Sequence, residues 1–589
     1  MPGIYGVANG GRVKANLDRM AKAMYLYDHF IQDGLFHDER VGASRTHTGQ
    51  VGEAQTPVRH GSNSVWIEGE AYNVSEVAGQ LGLAATTLSD LLLLADYSQQ
   101  LDKCLSRLDG YFCAALYNAE AQTLKLISDR YGMRLLYWYH KDGVFAWGSE
   151  VKAILQVEGV NEKLDPSSYD CFMDLGYLMG EHTWFDNIKL IKPATVIEYN
   201  LVTDTANQYH YWKWSEIKPS NLTFDEAVDE LGRRFIEAVR RRFEPSKAIG
   251  IALSGGLDSR AIFAAVDHLY PEYEGYAYTF GIPGCDDITV AEQVISRSKK
   301  WKHEKFYFSA HNWFEPRKEK IWNTDGMQDM MHMHGSEFLP SIAQHMRINL
   351  NGYCGDAIIG GGFLSQVPSN TRASSSNVKS FYGRYARLAD IDSDFYDIEH
   401  VEPNLYMNRV RRFTAYGSVN SLSWLDQRKP FFDNELVELI LSIPDEYRKN
   451  NRLYSAMLQK YFPKYFRDIP WQKTGKPAGV IRNRSIPYRA LRKGFRIFKE
   501  FLGIKSALNY TNYPAWIRDK EVVAQLSELL GYKSAEYRDL VDEDLLKKWL
   551  EPHLNNKLIN YSNKVLRAAT IELYLRQVRR RNELHVNNE

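Results

Sequence analysis

The sequence predicts an α/β protein with two regions: an antiparallel, β-rich first region over residues 1–215, and a parallel sheet covered by helices over residues 216–589. Three observations predict it. The chain of 589 residues is too long for one hydrophobic core, because single cores stop growing at roughly 250–300 residues. Up to about Tyr211, short alternating apolar runs are broken by glycine. From Lys247 onward, apolar runs of strand length alternate with stretches of helical spacing.

In the first region, Ser64 to Ala71 and Gly110 to Tyr117 show the period-two alternation of antiparallel strands. The text turns polar between Tyr211 and Leu222, with Pro219 and Asn221, and the boundary falls near residue 215. Ala227, Leu231, Phe235 and Val239 then recur at helical spacing between Phe224 and Phe243. In the second region, Ala248 to Leu253, Tyr276 to Phe280 and Ile348 to Asn351 read as strands of a parallel sheet. After about Ser421 helical patterns dominate, and no internal repeat or long low-complexity tract is found.

Hydrophobic residues make up 44% of the chain and charged residues 25%, the composition of a folded globular protein. Lys plus Arg and Asp plus Glu both total 73, so no global field favours nucleic acid or an anionic membrane, and neither partner is expected. The basic run Arg576 to Arg581 is either a phosphate patch or, more plainly, a solvated helix end, and no function is placed there. Five scattered cysteines without a CxxC pair suit a reducing compartment and imply no structural zinc. Met1 to Arg12 has no signal-peptide core, and no run reaches the roughly 20 apolar residues that span a bilayer, so a cytoplasmic location is expected.

The strongest local signal is Ser254-Gly255-Gly256-Leu257-Asp258-Ser259, between the apolar strand ending at Leu253 and an apolar helix starting Ala261-Ile262-Phe263. Glycines let backbone N–H groups approach a phosphate, and a helix amino terminus adds partial positive charge. The spacing is not GxGxxG, and no Gly-Lys-Ser or Gly-Lys-Thr ends the loop, which excludes the dinucleotide and kinase-type patterns. The loop resembles instead the SGGxDS loop of ATP pyrophosphatases, which cleave ATP between the α and β phosphates. Asp258 lies in the loop and Asp356 follows a second apolar strand in Asn351-Gly352-Tyr353-Cys354-Gly355-Asp356. Two carboxylates at neighbouring strand ends suit magnesium, which takes one or two protein carboxylates and completes its shell with phosphate oxygens and water.

The chain resembles the asparagine synthetases and their relatives, the β-lactam synthetases and lasso-peptide cyclases. In the first region the resemblance is carried by Leu108-Asp109-Gly110-Tyr111-Phe112, Asp129-Arg130-Tyr131-Gly132, Leu136-Tyr137 and Gly148-Ser149-Glu150-Val151-Lys152-Ala153. In the second it is carried by Arg428-Lys429-Pro430-Phe431-Phe432-Asp433 with Glu435-Leu436-Val437-Glu438. It implies an Ntn-hydrolase-like, class II glutaminase-like fold for residues 1–215 and an ATP-pyrophosphatase fold for residues 216–589. It also implies ATP and magnesium as the nucleotide and metal. Leu253, Ser254, Gly255, Gly256, Asp258, Ser259 and Gly352 would bind the nucleotide, and Asp258 and Asp356 the metal.

Departures from the family pattern carry as much information. Glutamine-using members place a nucleophilic cysteine directly after the initiator methionine, where this chain has Pro2. The family's oxyanion-stabilising asparagine is matched by Glu68, whose carboxylate would repel a developing oxyanion. Arg45 falls near the family's substrate-carboxylate arginine. β-lactam synthetases share the loss of glutaminase function and carry, at the position of Tyr353, a tyrosine that helps deprotonate the attacking nitrogen; a packed tyrosine is the alternative here. Lys473 falls where relatives place a lysine that stabilises the acyl-adenylate, with Lys476 as its close neighbour.

The expectation is an AMP-forming amide-bond ligase that adenylates a carboxylate and joins it to an amine without hydrolysing glutamine. Its substrate would be a small-molecule or peptide carboxylate and amine, with room for a partner protein from the same pathway. The alternatives are an ammonia-dependent amidating enzyme and a nucleotide-binding scaffold.

Overall fold

The computed structural model describes residues 1–368, 370–479 and 510–586. In the first region a pair of antiparallel sheets lies face to face. One runs Ile188–Leu190, Tyr137–Lys141, Val144–Gly148, Gly3–Asn9, Val41–His47, Ile31–Gln32, with Phe36–His37 also paired to Val41–His47. The other runs Thr205–His210, Thr195–Asn200, Thr123–Ser128, Gly110–Asn118, Asn63–Ala71, Val58–His60. Successive side chains of a strand leave on opposite faces, so Trp66 and Cys113 meet Ile4, Phe145 and Trp147 between the sheets. Val65 and Ile67 face outward and pack under Leu91 and Leu92 of helix Leu88–Tyr97. Helix Val13–Met24 covers the other sheet, setting Leu17 and Met20 against Tyr5 and Val7. The layering is helix, sheet, sheet, helix, as an Ntn-hydrolase-like domain requires.

Helix Phe224–Arg242 starts where the apolar spacing predicts. The Thr223 hydroxyl accepts from the Glu226 N–H at 3.4 Å while the Glu226 carboxylate accepts from the Thr223 N–H at 2.8 Å, a capping box. Ala227, Leu231, Phe235 and Val239 form its buried face.

Five parallel strands follow, in the order Trp301–Tyr307, Gly275–Gly281, Ile249–Ala252, Ile348–Leu350, Asp426–Arg428. The three expected runs occupy the second, third and fourth places. Two strands lie outside the expectation. Trp301–Tyr307 is an edge strand with mostly polar, solvent-reaching residues. Asp426–Arg428 is wholly polar yet buried, because each side chain is paired: Asp426 with Arg134 at 2.5 Å, Gln427 with Asn349 at 2.9 Å, and Arg428 with Glu70 at 2.6 and 2.8 Å.

The sheet starts at its middle strand, builds to one side and then returns to the other. The order therefore reverses between Ile249–Ala252 and Ile348–Leu350, and a crevice opens beyond their carboxyl ends.

Charged pairs weld the two regions. Arg242 donates to Asp109 at 2.9 and 2.7 Å and to Asp433 at 2.7 Å, and Lys152 lies 3.2 Å from Asp325. Removing one partner of such a buried pair costs about 3–5 kcal/mol, so the regions dock in one register. The basic run near the end joins a helix surface, with Arg576 bonded to Glu572 and Arg579 to Glu536, both at 2.6 Å. Among the described residues no helix is long and apolar enough to cross a membrane.

Candidate functional site

The loop Ser254–Ser259 leaves the central strand and enters helix Leu257–Leu269 at the reversal crevice. Leu253 directly follows the strand, its N–H donating to the Tyr278 carbonyl at 2.9 Å and its carbonyl accepting from the Thr279 hydroxyl at 2.7 Å. Ser254 and Ser259 close the loop through their hydroxyls at 3.0 Å, and the Ser254 hydroxyl accepts from the Gly256 N–H at 3.2 Å. The Gly255 N–H donates to Asp287 at 3.0 Å, which holds the turn open from the side. No side chain caps the helix that follows, so its first-turn N–H groups are left for an anion.

The neighbouring strand Ile348–Leu350 feeds the turn Gly352–Asp356, and the two turns touch. A Cβ placed on Gly352 would lie 2.5 Å from the Ser259 nitrogen, and one on Gly355 would lie 2.7 Å from the Asp258 carboxylate, so only glycine lets the two backbones meet. Cys354 between them is held at φ 63°, a left-handed conformation unusual outside glycine.

This contact brings the paired aspartates together. The Asp356 N–H donates to Asp258 Oδ2 at 2.9 Å, and the Tyr454 hydroxyl donates to Asp258 Oδ1 at 3.2 Å. Burial pushes the Asp258 carboxyl up to about 7, with the Asp356 N–H opposing that rise. Oδ1 of Asp356 is buried without a hydrogen-bond partner. A buried, unmatched carboxylate oxygen beside a second carboxylate fits an oxygen-seeking cation such as magnesium.

Lys473 reaches the same spot: Nζ stands 3.4 Å from Asp356 Oδ2 and 5.1 Å over the Trp471 ring. Lys476 closes a turn through its backbone, its carbonyl accepting from Trp471 at 2.8 Å and its N–H donating to the Thr474 hydroxyl at 3.3 Å. Of the two candidate lysines, Lys473 is the one beside the carboxylates.

Tyr353 packs differently from a base. Its hydroxyl donates to the Val410 carbonyl at 3.0 Å, it is 9% exposed, and burial raises its pKa well above that of an ordinary tyrosine. No carboxylate among the described residues accepts from it, so the packed reading of this tyrosine fits the geometry better. Behind its ring lies Lys429, 5% exposed, with Nζ 5.8 Å from the rings of both Tyr353 and Tyr111. Burial, aided by the Arg134 charge, lowers the Lys429 ammonium to about 8.

Sequence reasoning missed Asp287, Tyr454 and the site of Lys429. They come from distant segments, and nothing in their local spacing marks them.

In the first region, the surroundings of Glu68 are filled with charge. Glu68 is buried opposite Arg134, 3.9 Å away, and its Oε2 has no hydrogen-bond partner. Arg45 is fully buried and spent: Nε bonds Asp33 at 2.8 Å, and the other nitrogens bond the Ile67 and Glu53 carbonyls at 3.2 and 2.8 Å. That corrects any reading of Arg45 as open to a substrate carboxylate.

Residues 1–212 match the glutamine amidotransferase domain family and residues 230–469 match the asparagine synthase family. The chain is 21% identical over 496 residues to glutamine-hydrolysing asparagine synthetase 1 of Bacillus subtilis (strain 168), covering 73% of this chain and 78% of that one. It is 25% identical over 472 residues to asparagine synthetase 3 of the same organism, covering 70% and 76%. To a putative asparagine synthetase of Methanocaldococcus jannaschii it is 22% identical over 298 residues, spanning 50% of this chain and 58% of the relative's length. The chain belongs to the asparagine synthetase superfamily of ATP-dependent, amide-forming ligases, with a glutamine amidotransferase-type domain ahead of its synthase domain.

Proposed function

We propose that this protein activates a carboxylate with ATP, releases pyrophosphate, and joins the acyl group to an amine without hydrolysing glutamine. The carrying observation is the meeting of Asp258 and Asp356 across two glycine-dependent turns at the sheet's reversal point. The substrate carboxylate oxygen attacks the α-phosphorus of ATP, the α–β bridge bond breaks, and pyrophosphate leaves. The amine nitrogen then attacks the acyl carbon, the bond to AMP breaks, and the amine proton is lost.

Ser254, Gly255, Gly256 and Ser259 would cradle the departing pyrophosphate through their backbone and hydroxyl groups. Asp258 and Asp356 would hold magnesium, which when bound neutralises charge building on the phosphates. Lys473, already beside Asp356, would counter the negative charge of the acyl-adenylate and of the tetrahedral state. With Tyr353 bonded to a backbone carbonyl, the amine would lose its proton to solvent.

The match of residues 1–212 to amidotransferase domains favours one second reading, amidation by ammonia supplied from outside. Separating the nucleotide products decides the central point. AMP and pyrophosphate are expected, and release of ADP and orthophosphate would remove the proposal.

A further inference from the structure

Lys473 stands on a short turn, closed by the Trp471 N–H donating to the Lys476 carbonyl at 2.8 Å and the Trp471 carbonyl accepting from the Thr474 and Gly475 N–H groups at 3.0 and 2.7 Å. Its side chain is 64% exposed and meets Asp356 at 3.4 Å. A solvent-reaching ion pair of this kind is too weak to seat a long, flexible side chain by itself. The position of the lysine therefore depends on what holds the turn.

Two polar braces hold it, and both run to the phosphate loop. The first is Arg260, which directly follows the loop and is fully buried. It donates to the Gly255 carbonyl at 3.1 Å and to the Ile469 and Pro470 carbonyls at 3.2 and 2.9 Å, just ahead of the Lys473 turn. Its guanidinium lies 5.4 Å from the Phe466 ring centroid, and no carboxylate among the described residues pairs with it. Burial accordingly lowers the guanidinium to about 10. A buried cation without a counter-charge is unfavourable to the fold, and an apolar side chain would fill the same space at less cost. What the arginine adds is its bonds to carbonyls of both segments.

The second brace is Asp287, buried at the start of helix Asp286–Ile295. Its carboxylate accepts from the Gly255 N–H at 3.0 Å. With the Gln472 amide nitrogen turned towards it, the same carboxylate accepts from Gln472, the residue before Lys473, at 2.7 and 3.0 Å. The Gln472 N–H donates in turn to the Gly255 carbonyl at 3.4 Å. Gly255 thus meets both braces and the turn, and a Cβ there would lie 2.5 Å from the end of the Gln472 side chain. A carboxylate beside a loop suited to phosphate opposes the anion, so its presence calls for a gain elsewhere, and the two segments it joins supply one.

We propose that Arg260, Asp287 and Gln472 are positioning residues that seat the Lys473 turn on the phosphate loop, so that a nucleotide held by the loop meets the Lys473 amine. The inference rests on the adenylation reading for what Lys473 does there, and on geometry alone for what holds it.

The test reads the position of the Lys473 amine on the full chain, as its rate of acetylation by N-hydroxysuccinimidyl acetate followed by mass spectrometry. Rates are compared with and without saturating α,β-methylene-ATP and magnesium, with the other exposed lysines as reference, and calorimetry sets the saturating concentration for each variant. In the native chain the analogue should slow acetylation of Lys473 by about fivefold or more. Gln472→Leu and Asp287→Ala should each bring that protection close to one, and so should Arg260→Lys, which keeps the charge but loses the fork. Asp287→Asn keeps an acceptor for Gly255 and offers a donor to the Gln472 oxygen, so protection should stay within about twofold of native. No protection in the native chain, protection that survives both Gln472→Leu and Asp287→Ala, equal loss in Asp287→Asn and Asp287→Ala, loss of analogue binding in Gln472→Leu, or a change at the reference lysines as large as that at Lys473 would each overturn the proposal. Nucleotide products tell the two readings apart: ADP formation would sink adenylation while leaving the protection of Lys473 to judge the braces.

Discussion

The backbone N–H of Asp356 donates to Oδ2 of Asp258 at 2.9 Å, which ties the ends of two neighbouring parallel strands into one acidic pocket. The bond uses the main chain of Asp356 and leaves its carboxylate to face the cleft and Lys473. Asp356→Asn therefore keeps the bond and nearly all the volume while removing one charge. Pyrophosphate exchange should fall by about 10²-fold or more, with thermal unfolding little changed. Exchange near the native rate would show that Asp356 holds no metal.

Tyr353→Phe separates a packed tyrosine from a base. The hydroxyl is already bonded to the Val410 carbonyl, and burial strongly disfavours its ionisation. A general base typically contributes about 10²–10⁴-fold, whereas the loss of this one hydrogen bond should lower amide formation by less than about tenfold. A drop of about a thousandfold in kcat with KM unchanged would restore the base.

Much of the framework was legible because it is written in local patterns. Strand, glycine turn and helix stand in order around Ser254–Ser259, and the helix at Phe224 announces itself by Thr223 and its apolar spacing. Strand Asp426–Arg428 was illegible because its burial depends on Arg134 and Glu70, 292 and 358 residues away from their partners, and periodicity carries no trace of that pairing. Asp287 and Tyr454 reach the loop from other segments for the same reason. Lys473 was legible only through the family motif, and its preference over the neighbouring Lys476 rests on the tertiary contact of its ammonium with Asp356. The surroundings of Tyr353, which separate a packed ring from a base, are entirely tertiary.

Lys429 makes a pH-dependent prediction. Burial lowers its ammonium from the ordinary 10.5 to about 8, so the unfolded chain binds this proton more tightly than the folded one. The resulting destabilisation is fully present below about 8 and fades as pH rises towards 10.5. Lys429→Met should thus stabilise the fold at about pH 7 by about 1–3 kcal/mol, and the advantage should shrink by about pH 10. Urea unfolding at the two pH values measures it. A variant less stable than the native chain at the lower pH would show that the ammonium has a favourable partner.

Glutamine should not be hydrolysed, and the reason extends beyond Pro2. The Glu68 carboxyl is buried against Arg134, which in turn binds Asp426, so the place of an oxyanion donor is taken by a charged group locked into the seam between the two regions. Cys113, opposite Glu68 in the strand register, offers no substitute nucleophile, since burial pushes its thiol up to about 12. Loss of a single oxyanion donor costs about 10²–10³-fold, so Pro2→Cys alone should leave glutamate release at background. Adding Glu68→Asn should gain little, because Arg45 remains bonded to Asp33 and two carbonyls and is not available to hold the carboxylate of glutamine. Glutamate release is assayed with purified protein, with and without ATP. Ready hydrolysis by the native chain or by Pro2→Cys would mean that the charged cluster opens on substrate binding, and the case for an amine carried by the substrate would lose its main support.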